Sequence, residues 1–183
     1  MISEQASRGF EGIFKNAILS NLFSSEDNCI IDDIKDLTES DTNEVVVLTI
    51  SSPVFRLLVI FHIDFEDSAL NYFVNTTQFG DGKIELDTRR DAFLEFCNMC
   101  IGTMNRELQN YFIFLGMSTP YVLLQACTTF ISALNPVVLK HYRLRINETL
   151  VLYATLCISD FGNVDFVENE NSTAVDTGQL ELF

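Results

Sequence analysis

A carboxylate and an amide stand one helical turn apart near the middle of the chain, in the segment Asp91-Ala-Phe-Leu-Glu95-Phe-Cys-Asn98. Residues at i and i+3 are neighbours on a helix surface, and a side-chain amide both donates and accepts hydrogen bonds. Such an amide can hold a water molecule in line with a phosphorus atom, and positioning that water is a large part of catalysis in phosphoryl transfer. The carboxylate can bind a cation on a partner. By itself, a Glu-x-x-Asn spacing is common on solvated helix surfaces.

A helical wheel at about 100° per residue places this pair away from the core. The predicted buried stripe consists of Phe93, Cys97, Cys100, Met104, Leu108 and Tyr111. The opposite stripe consists of Asp91, Glu95, Asn98 and Gly102. The polar stripe is therefore predicted to face a partner or a substrate.

The bounds of this helix are predicted from its flanking residues. Thr88-x-x-Asp91 has the form of a capping box, with Asp in place of the usual Glu or Gln, so the helix is expected to begin near Thr88. It is expected to end at Tyr111 or Phe114. Asp91 then has two interpretations, a helix-start residue or a partner contact. Gly102 has two as well, since it can admit a partner or let another helix pack closely.

The surrounding elements predict an α+β fold of two layers, with helices packed on an antiparallel sheet. Apolar spacing predicts a helix over 10–23 and a short one over 67–79, while 121–134 reads as a helix or an irregular cover segment. Strand patterns cover 29–37 as an edge strand, 44–51 and 54–65 as a hairpin, and 137–146 and 149–159 as a second hairpin. We expect one domain over 1–159 and a flexible acidic tail over 160–183.

Composition excludes several classes of function. The formal net charge of −15 opposes nucleic acid binding, and the densest basic stretch, 140–145, is short. The apolar run from Leu57 to Phe61 is too short to span a membrane, and the first residues lack the apolar core of a signal peptide. We therefore expect a cytoplasmic protein that neither inserts into a membrane nor binds nucleic acid.

Cys97-x-x-Cys100 is a candidate redox or zinc pair. Redox pairs usually open a helix, whereas these two lie in the middle of one, on its apolar stripe. A zinc site would need two further ligands, and the chain has only His62 and His141, both in strand patterns. The pattern favours buried core cysteines and structural histidines.

The polar stripe, followed by Pro120, resembles the motif of the CheC/CheX/FliY family, bacterial phosphatases of chemotaxis and two-component signalling. These hydrolases act on the aspartyl phosphate of response-regulator receiver domains. The order of elements is also similar, and the resemblance covers about 10–159. The first helix has Glu11 and Asn16, which lack the Glu-x-x-Asn spacing. A single motif is closest to CheX, whose members pair through their sheets into dimers.

The resemblance implies a role for each residue of the stripe. Asn98 would orient the attacking water, and Glu95 would contact the lysine in the active site of a CheY-like receiver. Asp91 and Gly102 would lie at the partner surface. Mg²⁺ would be bound by the receiver, and this chain would bind no cofactor of its own. A homodimer would be possible.

Two other functions stay open from the residues. The chain can be a non-catalytic, dimeric CheX-like module that binds a signalling partner. Its last five residues, Gln179-Leu-Glu-Leu-Phe183, resemble the short peptide with which bacterial DNA polymerases bind the sliding clamp. Glu181 stands where that peptide usually has Ser or Asp.

Overall fold

The structure is a computed structural model that describes residues 1–22, 27–74, 84–147 and 149–168. Its helices are α1 (Glu4–Ser20), a first 3-10 helix (Ser68–Phe73), α2 (Leu86–Leu108) and a second 3-10 helix (Gln125–Leu134). Its strands are β1 (Cys29–Ile34), β2 (Glu44–Ser51), β3 (Phe55–Ile63), β4 (Gly116–Met117), β5 (Tyr121–Leu124), β6 (Val138–Ile146) and β7 (Leu150–Asp160).

The strands form one antiparallel sheet in the order β1-β6-β7-β3-β2, with β4 and β5 both paired to β2. The two predicted hairpins, β2/β3 and β6/β7, are confirmed. One row of side chains shows how the sheet builds the core: Val46 lies beside Phe61, Phe61 beside Ala154, and Ala154 beside Tyr142. All four are buried. Because side chains alternate along a strand, this row and every second one beyond it face the helices.

The two long helices cover that face of the sheet. Ser3 caps α1, since its side chain accepts a hydrogen bond from the Ala6 backbone N–H at 3.0 Å. The buried side of α1 includes Phe10 and Phe14, which contact Phe55 of β3 and Tyr142 of β6. The predicted two-layer α+β fold is confirmed.

The bounds of α2 differ from the prediction at both ends. It begins at Leu86, and its N-cap residue Glu85 makes no side-chain capping bond, so the predicted capping box is wrong. Contacts from outside the helix hold this end instead. Arg89 Nη1 donates to the backbone oxygens of Glu66 and Asp67 at 3.0 and 3.1 Å. The helix ends at Leu108, before Phe114 turns the chain with a φ of 60°.

Two further segments differ from the prediction. Residues 121–124 form strand β5, because the backbone there pairs with β2, and the rest of the predicted cover segment is the second 3-10 helix. The packed part of the chain also extends past the boundary predicted at Ser159. Val164 and Phe166 are buried, and Val164 forms a bridge with Ile2 beside α1. Residues 169–183, which include the possible clamp peptide, lie outside the described residues.

The predicted short helix over 67–79 is observed as the first 3-10 helix, and 75–79 lie outside the described residues. In the described part of the chain, no helix combines the length and apolar character needed to cross a membrane.

Candidate functional site

A cluster of aromatic rings sets the rotation of α2 about its axis. Phe93 packs edge-on against Phe61 of β3 and Phe73 of the first 3-10 helix, with ring centroids 6.1 and 5.1 Å apart. Phe96 lies 4.6 Å from Phe73. Arg90 adds a cation–π contact, 5.0 Å from the ring centre of Phe65. With these rings in the core, the opposite side of the helix is turned to solvent.

The buried face of α2 agrees with the predicted stripe and is wider than it. Its buried residues are Phe93, Phe96, Cys97, Cys100, Ile101, Met104 and Leu108. Tyr111, predicted on the same stripe, follows the helix and is half-buried against Phe166. Phe96 and Ile101 flank the predicted stripe, which is why a narrow wheel pattern missed them.

The four predicted site residues share the outward face of α2. Asp91 and Glu95 are exposed, while Asn98 and Gly102 are half-buried. Within the described residues, the side chains of Asp91, Glu95 and Asn98 form no hydrogen bond or ion pair. Asp91 lies more than one turn inside the helix, and the acidic residue of the first turn is Asp87. The structure thus excludes Asp91 as a helix-start residue.

Gly102 leaves a gap in this face. A Cβ atom added there would meet no heavy atom within 4 Å among the described residues. No helix in the described part of the chain packs closely against it, so close packing does not account for a glycine here. The gap lies one turn beyond Asn98 and is open to an incoming molecule.

Arg106 belongs to the same face and was not among the site residues predicted from the sequence. It is exposed, and its Nη2 donates to Thr103 Oγ1 at 3.3 Å. Thr103 Oγ1 also accepts from Asn21 Nδ2 of the segment after α1, at 3.0 Å. Its spacing could have identified it from the sequence, since Arg106 follows Gly102 by four residues and Asn98 by eight.

Cys97 and Cys100 are both buried, as predicted. Burial raises the pKa of each thiol well above its ordinary value, which disfavours the thiolate needed for redox chemistry or metal binding. Across the described ranges, no three His, Cys, Asp or Glu side chains form a group that could hold a metal ion.

The two histidines join a hydrogen-bond chain on the face of the sheet opposite α1 and α2, which agrees with a structural role. His62 Nε2 and His141 Nδ1 lie 2.9 and 2.8 Å from Thr155 Oγ1. His62 Nδ1 lies 3.0 Å from Gln125 Oε1 of the second 3-10 helix. Desolvation lowers the pKa of both imidazoles below its ordinary value.

Two clefts lie away from the outward face of α2. One of about 360 Å³ is lined by residues that include Asp41, His62 and Asp64. The other, about 220 Å³, lies between the sheet and the second 3-10 helix, and Val47 and Phe130 are among its apolar lining. Neither is lined by Glu95 or Asn98. The candidate site lies on the outward face of a helix and outside both clefts, a position that suits a macromolecular partner better than a small molecule.

No protein-family model and no curated protein matches the chain. Solved structures do. A CheC-like superfamily protein from Shewanella sp. PV-4 is 14% identical, with 82% of this chain and 97% of that chain covered and a TM-score of 0.57. The chemotaxis protein CheX from Desulfovibrio desulfuricans is 13% identical, with 82% and 99% covered and a TM-score of 0.57.

A chain of the CheX-CheY-BeF3-Mg²⁺ complex from Borrelia burgdorferi is 9% identical. The match covers 83% of this chain and 96% of that chain, with a TM-score of 0.52. At such low identity the likeness concerns the fold, and the fold of this chain is that of the CheC-like and CheX proteins.

Proposed function

We propose that the chain accelerates hydrolysis of the aspartyl phosphate on a phosphorylated receiver domain of a response regulator. The observation that carries the proposal is the outward position of Glu95 and Asn98 on a rigidly packed helix of a CheX-like fold. Neither side chain forms a hydrogen bond or ion pair within the described residues, so both polar groups are available to a partner. The solved complex of CheX with CheY supports a CheY-like receiver as that partner.

The proposed chemistry needs no nucleophile from this chain. The amide of Asn98 accepts a hydrogen bond from a water molecule and holds its oxygen in line with the phosphorus atom. A bond forms between that oxygen and phosphorus, while the bond from phosphorus to the aspartyl oxygen breaks. The electron pair stays on the aspartate, and the proton of the water passes to solvent. The products are the free receiver carboxylate and inorganic phosphate.

The carboxylates of this face serve docking. Glu95 pairs with the lysine beside the phosphorylated aspartate, and Asp91, one turn earlier, makes a weaker surface contact. An exposed ion pair contributes about 0.2–1 kcal/mol, so Glu95 aligns the two proteins more than it holds them together. Mg²⁺ is held by the receiver in this proposal, and the reaction takes place in the cytoplasm.

A dephosphorylation assay tests the function. The protein is mixed with each phosphorylated receiver domain encoded in the same genome, and loss of phosphate is followed over time. We expect acceleration with at least one receiver, and Asn98→Ala should reduce it by about 100-fold or more, since water positioning is lost. Asn110→Ala, an exposed amide beyond the end of α2, is the matched control and should leave the rate unchanged.

The assay also separates the binding-module alternative. Asn98 forms no side-chain hydrogen bond or ion pair within the described residues, so its replacement should change the free energy of unfolding by less than about 0.5 kcal/mol. Receiver binding that survives Asn98→Ala, together with no acceleration by the unaltered protein, would instead identify a non-catalytic module.

We also propose that two copies pair through the outer edge of the sheet at β5. In the described part of the chain β5 pairs only with β2, so its other edge is open. Tyr121 and Leu124 are 55% and 67% exposed there. At the opposite edge, β1 carries Asp32 and Asp33, and charged side chains on an edge strand oppose pairing with a second strand.

Sedimentation equilibrium checks the dimer. We expect the mass of a dimer at micromolar concentration, and Leu124→Lys should shift the equilibrium toward the monomer because a lysine on the edge opposes strand pairing. Ile30→Lys on β1, an exposed residue of the other edge, is the control and should leave the mass unchanged. A monomeric mass for the unaltered protein at all concentrations would contradict the proposal.

A further inference from the structure

The outward face of α2 presents an unfavourable charge to a phosphorylated partner. Its first three turns carry exposed carboxylates at Asp87, Asp91 and Glu95. A phosphoryl group brings about two further negative charges to the same face. Like charges a few ångströms apart repel one another even in water. Binding there is easier if a cation lies on the other side of Asn98.

Arg106 is such a cation. Its side chain is exposed, and no described carboxylate lies within ion-pair distance of it. Its hydrogen bond to Thr103, three residues earlier, shows that the side chain leans toward the N-terminal end of the helix, as long helical side chains do. At 3.3 Å this bond to a neutral hydroxyl is long, and a phosphoryl oxygen is a stronger acceptor.

The spacing along the helix suits a phosphoryl group between Asn98 and Arg106. Eight residues at about 1.5 Å each put their Cα atoms about 12 Å apart along the axis. An arginine that leans back by one turn, about 5.4 Å, leaves roughly 7 Å to the turn of Asn98. That distance has room for one charge-assisted hydrogen bond of about 2.8 Å from the guanidinium to a phosphoryl oxygen, with the attacking water on the side of Asn98. Gly102 lies between them, and its missing side chain leaves the space open.

We propose that Arg106 donates hydrogen bonds to the phosphoryl oxygens of the partner, across the Gly102 gap from Asn98. The inference rests on the function proposed above and adds a second site residue to it. In the transition state, charge spreads over the three equatorial oxygens of the transferring group, and a fixed guanidinium stabilises that charge. Arg106 keeps its protons throughout, because a guanidinium is not deprotonated in proteins.

A structural role for Arg106 predicts different results. A cation in the last turn of a helix interacts favourably with the helix dipole, and Arg106 is the basic residue of the last turn of α2. If that were its whole role, Arg106→Ala would lower stability slightly and leave both the rate and the affinity for the receiver unchanged.

Kinetics and binding with three variants test the proposal. We expect Arg106→Ala to lower kcat about tenfold or more and to raise KM about fivefold, because the contact is present in the bound complex and strengthens in the transition state. Arg106→Lys should recover part of the loss, and Arg106→Gln should not. Arg8→Ala on α1, which removes an exposed arginine from another helix, is the matched control and should have no effect.

Binding of the receiver is a second measurement, and a purely structural role of Arg106 would leave it unchanged. The probe is the receiver domain with Mg²⁺, either unloaded or loaded with beryllofluoride as a mimic of the phosphoryl group. Arg106→Ala should weaken binding of the loaded receiver about fivefold or more and leave the unloaded receiver unaffected. Equal weakening of both forms, or of neither, would overturn the phosphoryl contact.

The failure of this inference is distinguishable from failure of the proposed function. Unchanged kcat in Arg106→Ala, with Asn98→Ala inactive, removes Arg106 from the site and leaves the function intact. A protein that binds the loaded receiver through Arg106 but does not accelerate dephosphorylation keeps the contact and loses the activity. No binding to any receiver would overturn both.

Discussion

The proposed role of Asn98 depends on what surrounds its side chain as much as on the chemistry of the amide. A side-chain amide that is bonded within its own protein cannot also hold a water molecule for a partner, and Asn98 makes no such bond within the described residues. Asn16 of α1 shows the contrast, since its amide nitrogen donates to Glu168 at 3.2 Å. Glu11 is similarly engaged, because it accepts a hydrogen bond from the buried Tyr142 hydroxyl. The carboxylate and the amide of α1 are therefore not available as a second site.

Gly102 offers a test in which stability and function change in opposite directions. Gly102→Ala should raise the free energy of unfolding by up to about 1 kcal/mol, because alanine favours the helix and no described atom lies within 4 Å of the added Cβ. Gly102→Trp should fold as well as the unaltered protein but fill the gap. We expect it to slow receiver dephosphorylation tenfold or more. Thermal unfolding and the dephosphorylation assay measure the two effects, and an unchanged rate for Gly102→Trp would show that no partner group enters the gap.

The orientation of α2 comes from its contacts, since its own sequence pattern leaves some freedom. The buried arc from Phe96 to Ile101 is wide, and a helix with such an arc can rotate without exposing much apolar surface. The ring contacts with Phe61 and Phe73 remove that freedom. Catalytic groups need to be held within a fraction of an ångström, so a helix packed in this way suits a site on its opposite face.

Substitutions at Ser3, the observed cap of α1, and at Thr88, the predicted cap of α2, test where the helices begin. Ser3→Ala should lower the free energy of unfolding by about 1 kcal/mol, because it removes the bond to the Ala6 N–H that caps α1. Thr88→Ala should change it by less than about 0.5 kcal/mol, because Thr88 lies inside α2 and caps nothing. Urea unfolding followed by circular dichroism measures both. A loss of about 1 kcal/mol for Thr88→Ala would restore the predicted capping box.

In the whole molecule, the two ends of the described chain are joined. The Met1 amino group forms an ion pair with Asp160, and Ser3 Oγ donates to Asp165 at 2.6 Å. Phe166 covers Gly9 of α1, where an added Cβ would come within 2.7 Å of its ring. These contacts hold residues 164–168 along α1 and explain why the packed unit extends past β7.

The histidine chain behind the sheet predicts how stability depends on pH. Desolvation lowers the pKa of His62 and of His141 below the ordinary value of 6.5, while Asp36 opposes the shift at His141. The folded protein then binds fewer protons than the unfolded chain as the pH falls through about 6.5, so these two groups have no effect on stability well above that pH and destabilise the fold below it. We expect the urea concentration at the unfolding midpoint to decrease when the pH is lowered from 7.5 to 5. This decrease should be smaller for His62→Gln.

A matched control for that measurement is His141→Gln, whose smaller effect should reflect its half-buried position. Carboxylates also titrate in the lower part of this range, so the difference between each variant and the unaltered protein is the quantity to compare. An identical pH dependence for His62→Gln would contradict the role of His62.

The local sequence pattern was sufficient to predict the elements that bury one face and the hairpins that turn tightly. The β2/β3 and β6/β7 hairpins, the core stripe of α2 and the outward position of Glu95 and Asn98 follow from spacing, because the periods of a helix and a strand determine which residues share a side. Contacts between residues far apart in the sequence determine the rest. β5 is a strand because β2 offers it an edge, and α2 begins at Leu86 because Arg89 reaches the carbonyls of Glu66 and Asp67. The gap at Gly102 with Arg106 beside it also depends on packing, since only the packed neighbours show that the space is empty.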